Sequence, residues 1–418
     1  VQMTSTITVE DRRRATLERL HGADATERRG RRRRLPARRT SRSARASVES
    51  EVLGPPTGTF YAIAGVISVL VMLGLVMVLS ASAVTQANLG FSPYRVFVKQ
   101  AAWAGMGAVA LVLMVKISYR RWQRLAIPVT VLAVAAMAAP FAPGIGASVN
   151  GARSWMRAGP LSFQPSELLK IAVVILTADL LTRRRNDLGN RVATLVPLGS
   201  IAAVGAGLCL VQGDLGAAIV LGAIVISVAW IAGVPAVPLA GMAAAAVGAG
   251  LLFVVSSPRR LDRFTAFMNI AEEKDHLAYQ SYQGYLSIAS GGLSGSGIGG
   301  SNAKLGYLPY AHSDFIFAVI ADELGLIGTI AVIGGFVMLI GLGVQTAIAA
   351  PDRFGMLLAG GVAAWFGVQA IINIGGVVGF MPVTGQTLPF FSAGGSSLFV
   401  SMTAAGLLLS VARRINAR

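Results

Sequence analysis

The stretch TFYAIAGVISVLVMLGLVMVLSASAV, residues 59–84, runs for 26 residues without one charged side chain. As a helix it would extend about 39 Å, more than the roughly 30 Å of a bilayer's hydrocarbon core. Similar runs follow at about 97–117, 124–141, 166–182, 192–211, 214–232, 235–256, 315–349, 355–379 and 395–412. The expected fold is an all-α polytopic integral membrane protein with about ten transmembrane helices. The run at 315–349 is long enough to be broken or tilted.

Composition points the same way. Of 418 residues 54% are hydrophobic and 13% charged, and charged residues make up about a quarter of an ordinary soluble domain. Cys209 stands alone inside an apolar run, which excludes a disulfide scaffold. One Cys and three scattered His (His21, His276, His312) give a zinc site little support.

The net charge of +17 is unevenly placed. Residues 1–50 hold 14 Arg against six acids, +8 in total, with few apolar residues and no helical stripe. This division gives a disordered basic cytoplasmic tail, 1–57, and a membrane domain, 58–418. The tail has no apolar core of the signal-peptide kind. Beside a membrane its expected partner is anionic lipid, and no nucleic acid is expected.

Threading ten helices places Tyr119–Arg124, Arg183–Arg191, Pro351–Arg353 and Arg413–Arg418 on one side with the tail. Short Arg-bearing connections mark the cytoplasmic face, so both termini are expected inside. The longer loops, about 85–96, 142–165, 257–314 and 380–394, then lie outside, and the polar motifs crowd there. Loop 257–314 is too long for a simple connector.

Four motifs carry chemistry. The first runs from Gly151-Ala152-Arg153-Ser154-Trp155 to Phe163-Gln164-Pro165-Ser166-Glu167-Leu168-Leu169-Lys170. Pro165 suits a first helical turn, which puts Glu167 and Lys170 on one face. They read either as an ion pair hiding its own charges or, with Arg153, as cations for an anionic ligand. In the second, Gln212-Gly213-Asp214, Asp214 reads as a helix cap. The third is the large loop, which contains a Gly-rich stretch, 291–300, and ends on Ala311-His312-Ser313-Asp314-Phe315. No Gly-Lys-Ser/Thr follows those glycines, so a nucleotide site is not expected. Asp314 reads as an N-cap kept ionised by the helix end, or as a general base at the membrane boundary. Asp322 and Glu323, eight and nine residues on, would lie about 12–13 Å deeper along one straight helix and need Arg or Lys partners. The fourth runs from Asn373 through Pro382-Val383-Thr384-Gly385-Gln386-Thr387-Leu388-Pro389-Phe390 to Gly394-Gly395-Ser396-Ser397. It reads as a turn-rich connector, or as a cradle of donors for phosphate or sugar oxygens.

Together these stretches resemble the SEDS family (shape, elongation, division and sporulation proteins). Phe-Gln-Pro-Ser-Glu-x-x-Lys, Ala-His-Ser-Asp-Phe-Ile-Phe-Ala and Pro-Val-Thr-Gly…Gly-Gly-Ser-Ser occur in order across the membrane domain. The basic N-terminal extension and the end of the first helix favour the division branch over the RodA-type elongation branch. Where the family usually has Gln-Pro-x-Leu-Gly this chain has Gly213, and where it usually has Glu-Glu this chain has Asp322-Glu323.

The resemblance implies an inverting peptidoglycan glycosyltransferase that polymerises lipid II for septal wall synthesis, at the cytoplasmic membrane of the division septum. A lipid II flippase is the other class the family has been given, and it would need a polar path through the whole bilayer. The family's essential aspartate maps onto Asp314. Arg153, Glu167, Lys170, Lys99, Gln164, His312, Ser396 and Ser397 are the implied substrate-binding residues. Implied companions are a divalent cation, Mg or Mn, at no named site, a class B penicillin-binding protein (an FtsI-like transpeptidase), and divisome proteins of the FtsQ, FtsL and FtsB type.

Overall fold

The computed structural model describes residues 55–149, 152–159, 161–301 and 308–416. The expected tail therefore lies outside the described residues except for its last three positions, as do Gly151 and the loop segment 302–307.

The described residues open with α1 (Gly58–Asn88), α2 (Arg95–Lys116), the short α3 (Tyr119–Arg124) and α4 (Ala126–Ala136). Three short strands follow: β1 (Gly146–Val149), β2 (Ala152–Ala158) and β3 (Leu161–Phe163). Next come α5 (Pro165–Arg183), α6 (Val196–Val211), α7 (Leu215–Ala232) and α8 (Ala236–Val255). Two helices lie within the large loop, α9 (Pro258–Met268) and α10 (Tyr279–Gly291). The last three are α11 (Ile316–Ile348), α12 (Arg353–Val377) and α13 (Gly395–Ala412).

Among the described residues, eight helices are long and apolar enough to cross a membrane: α1, α2, α6 together with the helical turn Arg191–Leu195 that leads into it, α7, α8, α11, α12 and α13. The shorter apolar α4, continued by a 3-10 turn to Phe141, and the charge-bearing α5 complete the ten expected spans. Local sequence sets their ends. Thr57, Asp214 and Asp352 each cap a following helix by accepting a backbone N–H, from Phe60, Ala217 and Gly355. Pro165 occupies the first turn of α5, where its missing N–H leaves nothing unpaired.

Of the eight apolar helices, α12 and α13 are the most enclosed and α8 the least. Most of α5 is buried too, including Glu167, Lys170 and Asp179. The helix with the most charge is thus kept from lipid by its neighbours, as the cost of bare charge in hydrocarbon demands.

Loop 142–165 folds as a three-stranded antiparallel sheet in the order β1-β2-β3. Helix α11 breaks at Gly325, whose φ of 64° and ψ of −163° only glycine adopts readily. The peptide groups freed there are taken by the glycine-rich stretch: Leu326 and Ile327 donate to Gly292 and Leu293, and Ser296 and Gly297 donate to Asp322 and Glu323. Irregular backbone at such a level survives only where protein satisfies it in this way.

The break corrects the expected depth of the two acids. Glu323 accepts hydrogen bonds from Ser80, 22 residues up α1 and so about 33 Å from its inner end. The Asp314 carbonyl accepts from Asn373, 20 residues up α12 and about 30 Å from its inner end. The first segment of α11 therefore lies across the outer boundary instead of descending from it. Among the described residues, Ser290 and Ser301 donate to Asp322, and Ser80 donates to Glu323.

Candidate active site

Four outer elements converge on one polar cluster. Lys170, one and a half turns into α5, is fully buried, and its ammonium donates to Glu167 at 2.8 Å, Gln369 at 3.1 Å and Gln386 at 3.3 Å. The ion pair expected on one helix face is formed, but it is enclosed. Lys170 directs its protons at protein oxygens and faces no open surface. Such a pair repays its desolvation only when the surrounding bonds are good. Here two glutamines supply them, while the second Glu167 oxygen, Oε2, is buried with no hydrogen-bond partner among the described residues.

Asp214 goes beyond a cap. Its carboxylate accepts from the Ala217 N–H at 2.9 Å, from Gln164 at 2.8 Å and from Gln386 at 3.3 Å. Burial pushes its carboxyl above the usual range, against the pull of those bonds. Gln386 therefore bridges Lys170 and Asp214 from the last outer loop. Gly216 is what lets that loop in: a Cβ there would sit 2.7 Å from the Thr384 carbonyl and 2.8 Å from the Gln386 side chain.

Loop 380–394 is consequently an inserted plug rather than an outside turn. Thr387 pairs with Ser397 at 2.7 Å and accepts from Gln369, while Phe390 and Phe391 pack on Phe366 and Phe336. Phe390 holds a left-handed φ of 68°, a strained conformation that its buried ring fixes in place. Gln164 donates its backbone N–H to Ser396 at 3.3 Å. Ser396 and Ser397 are thus buried structural links at the start of α13, with Gln164 between them and Asp214.

Asp314 sits at the open edge of this cluster. It does not cap α11, whose first residue is Ile316 and whose cap, Phe315, makes no side-chain bond; the expected cap role is corrected. With Asn373, Gly376, Val383, Gly385 and Gln386 it lines a small, open cleft. A Cβ on Gly385 would lie 3.7 Å from Asp314 Oδ2, so the glycine leaves the carboxylate's approach clear. Burial raises the Asp314 carboxyl to about 6, and the charge of Asp214 adds to the rise while Ser313 opposes it. The expectation that a helix end keeps it strongly ionised gives way to a carboxyl poised near neutrality, as a general base requires.

The remaining predicted residues fall in two places. The His312 carbonyl accepts from Ala393, which ties the Asp314 segment to the plug, and burial lowers its imidazole. Arg153 and Lys99 lie outside the cluster and are exposed, Lys99 reaching Ser162 at 3.5 Å. Sequence reasoning missed Gln369. Its signal was present: Trp365, Gln369 and Asn373 recur every fourth residue, a polar stripe on one face of an otherwise apolar helix.

Comparison with known proteins identifies the family. The family of cell cycle proteins comprising FtsW, RodA and SpoVE matches residues 61–417. The probable peptidoglycan glycosyltransferase FtsW of Mycobacterium tuberculosis is 38% identical over 362 residues, 86% of this chain and 69% of that one. Its counterpart in Trichlorobacter lovleyi is 37% identical, covering 81% of this chain and 89% of the relative. Among solved structures, a chain of a peptidoglycan synthase complex that coordinates polymerization and crosslinking aligns with a TM-score of 0.70 and 28% identity, over 85% of this chain and 98% of its own. The rod shape determining protein RodA of Thermus thermophilus aligns at 0.63 and 29%, over 86% and 98%. Ten spans, the buried Glu167–Lys170 pair and the outer Asp314 cleft thus stand in a chain that belongs to the SEDS family of FtsW, RodA and SpoVE proteins.

Proposed function

We infer that this membrane protein is a peptidoglycan glycosyltransferase of cell division, which polymerises lipid II on the outer face of the cytoplasmic membrane at the septum. The observation that carries the reading is Asp314: a carboxyl held near neutrality at the mouth of a cleft, beside an immobile buried ion pair.

In this reaction Asp314 takes the proton from the acceptor sugar's 4-hydroxyl as that oxygen attacks C1 of the donor's terminal sugar. The bond from C1 to the diphosphate oxygen breaks, and undecaprenyl diphosphate departs as an anion. One base and an activated leaving group need no covalent intermediate, so the anomeric centre inverts. Glu167, Lys170, Gln369 and Gln386 serve from behind, fixing the loop that carries Gly385 against Asp314. A divalent cation, Mg or Mn, is proposed as a companion of the substrate's diphosphate, whose charge it would neutralise.

The similarity to a synthase complex supports a class B penicillin-binding protein as the crosslinking partner, with divisome proteins around it. Helix α11 exposes Ile327, Ile330, Val337 and Val344 and suits a partner's transmembrane helix, whereas α12, mostly buried, offers little surface.

The test is polymer synthesis from fluorescent lipid II by the full chain with its transpeptidase partner. Asp314→Asn is expected to abolish polymer while the protein still folds. Polymer at the unmodified level from that variant would overturn the assignment.

A further inference from the structure

Asn373 of α12 ties the Asp314 segment to the inserted plug. Its side-chain Nδ2 donates to the Asp314 carbonyl at 3.0 Å and to the Gln386 carbonyl at 2.7 Å. A carbonyl oxygen can only accept, so both partners demand the nitrogen, and the amide cannot turn over without losing two bonds. That arrangement leaves Oδ1 as a fixed acceptor on the remaining side. Oδ1 is buried and has no hydrogen-bond partner among the described residues. Asn373 is only 5% exposed, so bulk water does not serve the oxygen.

A buried acceptor left unpaired costs free energy, and native folds keep few of them. The neighbouring amide shows the contrast. Gln369, one turn deeper on the same face of α12, has both ends engaged: Oε1 accepts from Lys170 and Trp365, and Nε2 donates to Thr387. Of the unpaired buried groups among the described residues, Asn373 Oδ1 is the one whose residue also lines the Asp314 cleft. Gly376, three residues on, lines the cleft too and has no side chain to cover the amide. Two polar groups of different kind thus meet at one cleft. A carboxylate there takes a proton, and an amide oxygen, tied to it through the Asp314 backbone, needs a donor.

We propose that Asn373 Oδ1 accepts a hydrogen bond from the acceptor sugar's 3-hydroxyl, the ring neighbour of the 4-hydroxyl that Asp314 deprotonates. This rests on the polymerase reading. A sugar held at one hydroxyl can pivot, whereas one held at two neighbouring hydroxyls presents its attacking oxygen at a set angle, which favours rate as well as affinity. Asn373 takes no part in the proton transfer. It selects and orients, because an acceptor without that hydroxyl leaves the amide oxygen unpaired again.

Crossing the residue with the hydroxyl tests the contact. Lipid II and an analogue lacking the 3-hydroxyl of its non-reducing sugar are compared in the full chain with its transpeptidase partner, unmodified and as Asn373→Ala. Initial rates of polymer synthesis and competition for bound fluorescent lipid II in nanodiscs are both read. In the unmodified chain the missing hydroxyl should lower kcat/KM and affinity about ten-fold. In Asn373→Ala both substrates should be poorer, with no more than about two-fold between them, because the partner is gone. Loss of the Nδ2 bonds alone would weaken both substrates equally and leave the ten-fold ratio standing, which would overturn the contact. Equal handling of the two substrates by the unmodified chain would overturn it too, without any variant having to fold, while polymer made from both would leave the polymerase reading intact. If competition shows the ratio and its collapse in Asn373→Ala yet no polymer forms, the polymerase reading fails and the contact stands.

Discussion

At the residue scale, Asp314 makes two demands that pull apart. A carboxyl whose folded value is about 6, against an ordinary 3.8, favours its protonated form in the fold. That favour is complete below the ordinary value and is lost as pH rises through about 6, so at neutral pH the fold carries the cost of the ion, up to about 3 kcal/mol. Asp314→Asn removes the charge and should raise the melting temperature by about 3–5 °C at pH 7.5, with the gap closing toward pH 4. The base needs the ionised form, so glycan synthesis in the unmodified protein should fall as pH drops through about 6. An Asn variant no more stable than its parent at pH 7.5 would show that burial does not load this carboxyl. Lys170 behaves oppositely. Removing one partner of a buried pair strands the other, so Lys170→Met should cost about 3–5 kcal/mol, and Glu167→Gln/Lys170→Met should recover most of it. Thermal melts of the two variants check this; a double variant as unstable as the single one would mean the pair's charge is not what matters.

At the element scale, the instructive case is α11. Its run of apolar residues made a helix legible, and its excess length made a break legible, but not where the first segment would lie. That depends on Gly325 and on backbone partners from the 292–297 stretch, a long-range match that hydropathy does not encode. The small sheet was hidden for a related reason: β2 reads Ala-Arg-Ser-Trp-Met-Arg-Ala, polar and apolar on both faces, and shows no clean period of two. Asp314 stood out in the sequence because a carboxylate is out of place beside an apolar helix, and the resemblance to the family singled it out among the acids. Gln369 escaped because one amide does not disturb a hydropathy window. At Gly325 a Cβ would meet the backbone of Gly295 and Leu293. Gly325→Ala should therefore lower stability by about 1–3 kcal/mol or more, while Gly334→Ala, with nothing within 4 Å, should leave it unchanged. Equal melting temperatures for the two would mean that the break is not enforced there.

At the scale of the whole molecule, orientation decides whether Asp314 can meet a sugar at all. The short connections carry Arg, including Arg183, Arg184 and Arg185 at the end of α5, and residues 1–50 add +8 of the net +17. Most of the chain's basicity is therefore topogenic and says little about substrate, and the charges that matter chemically are few. The same ten-span path puts loop 257–314, the plug and Asp314 on the face opposite those arginines. Cysteine labelling resolves this without a silent background, because the only native thiol, Cys209, is fully buried. In intact cells a membrane-impermeant maleimide should label Glu272→Cys, which is exposed on the large loop, and spare Asn186→Cys, exposed beside the Arg triplet. Permeabilised cells should label both. Were Asn186→Cys the one reached from outside, Asp314 would face the cytoplasm, and a polymerase that builds wall beyond the membrane could not be assembled from this fold.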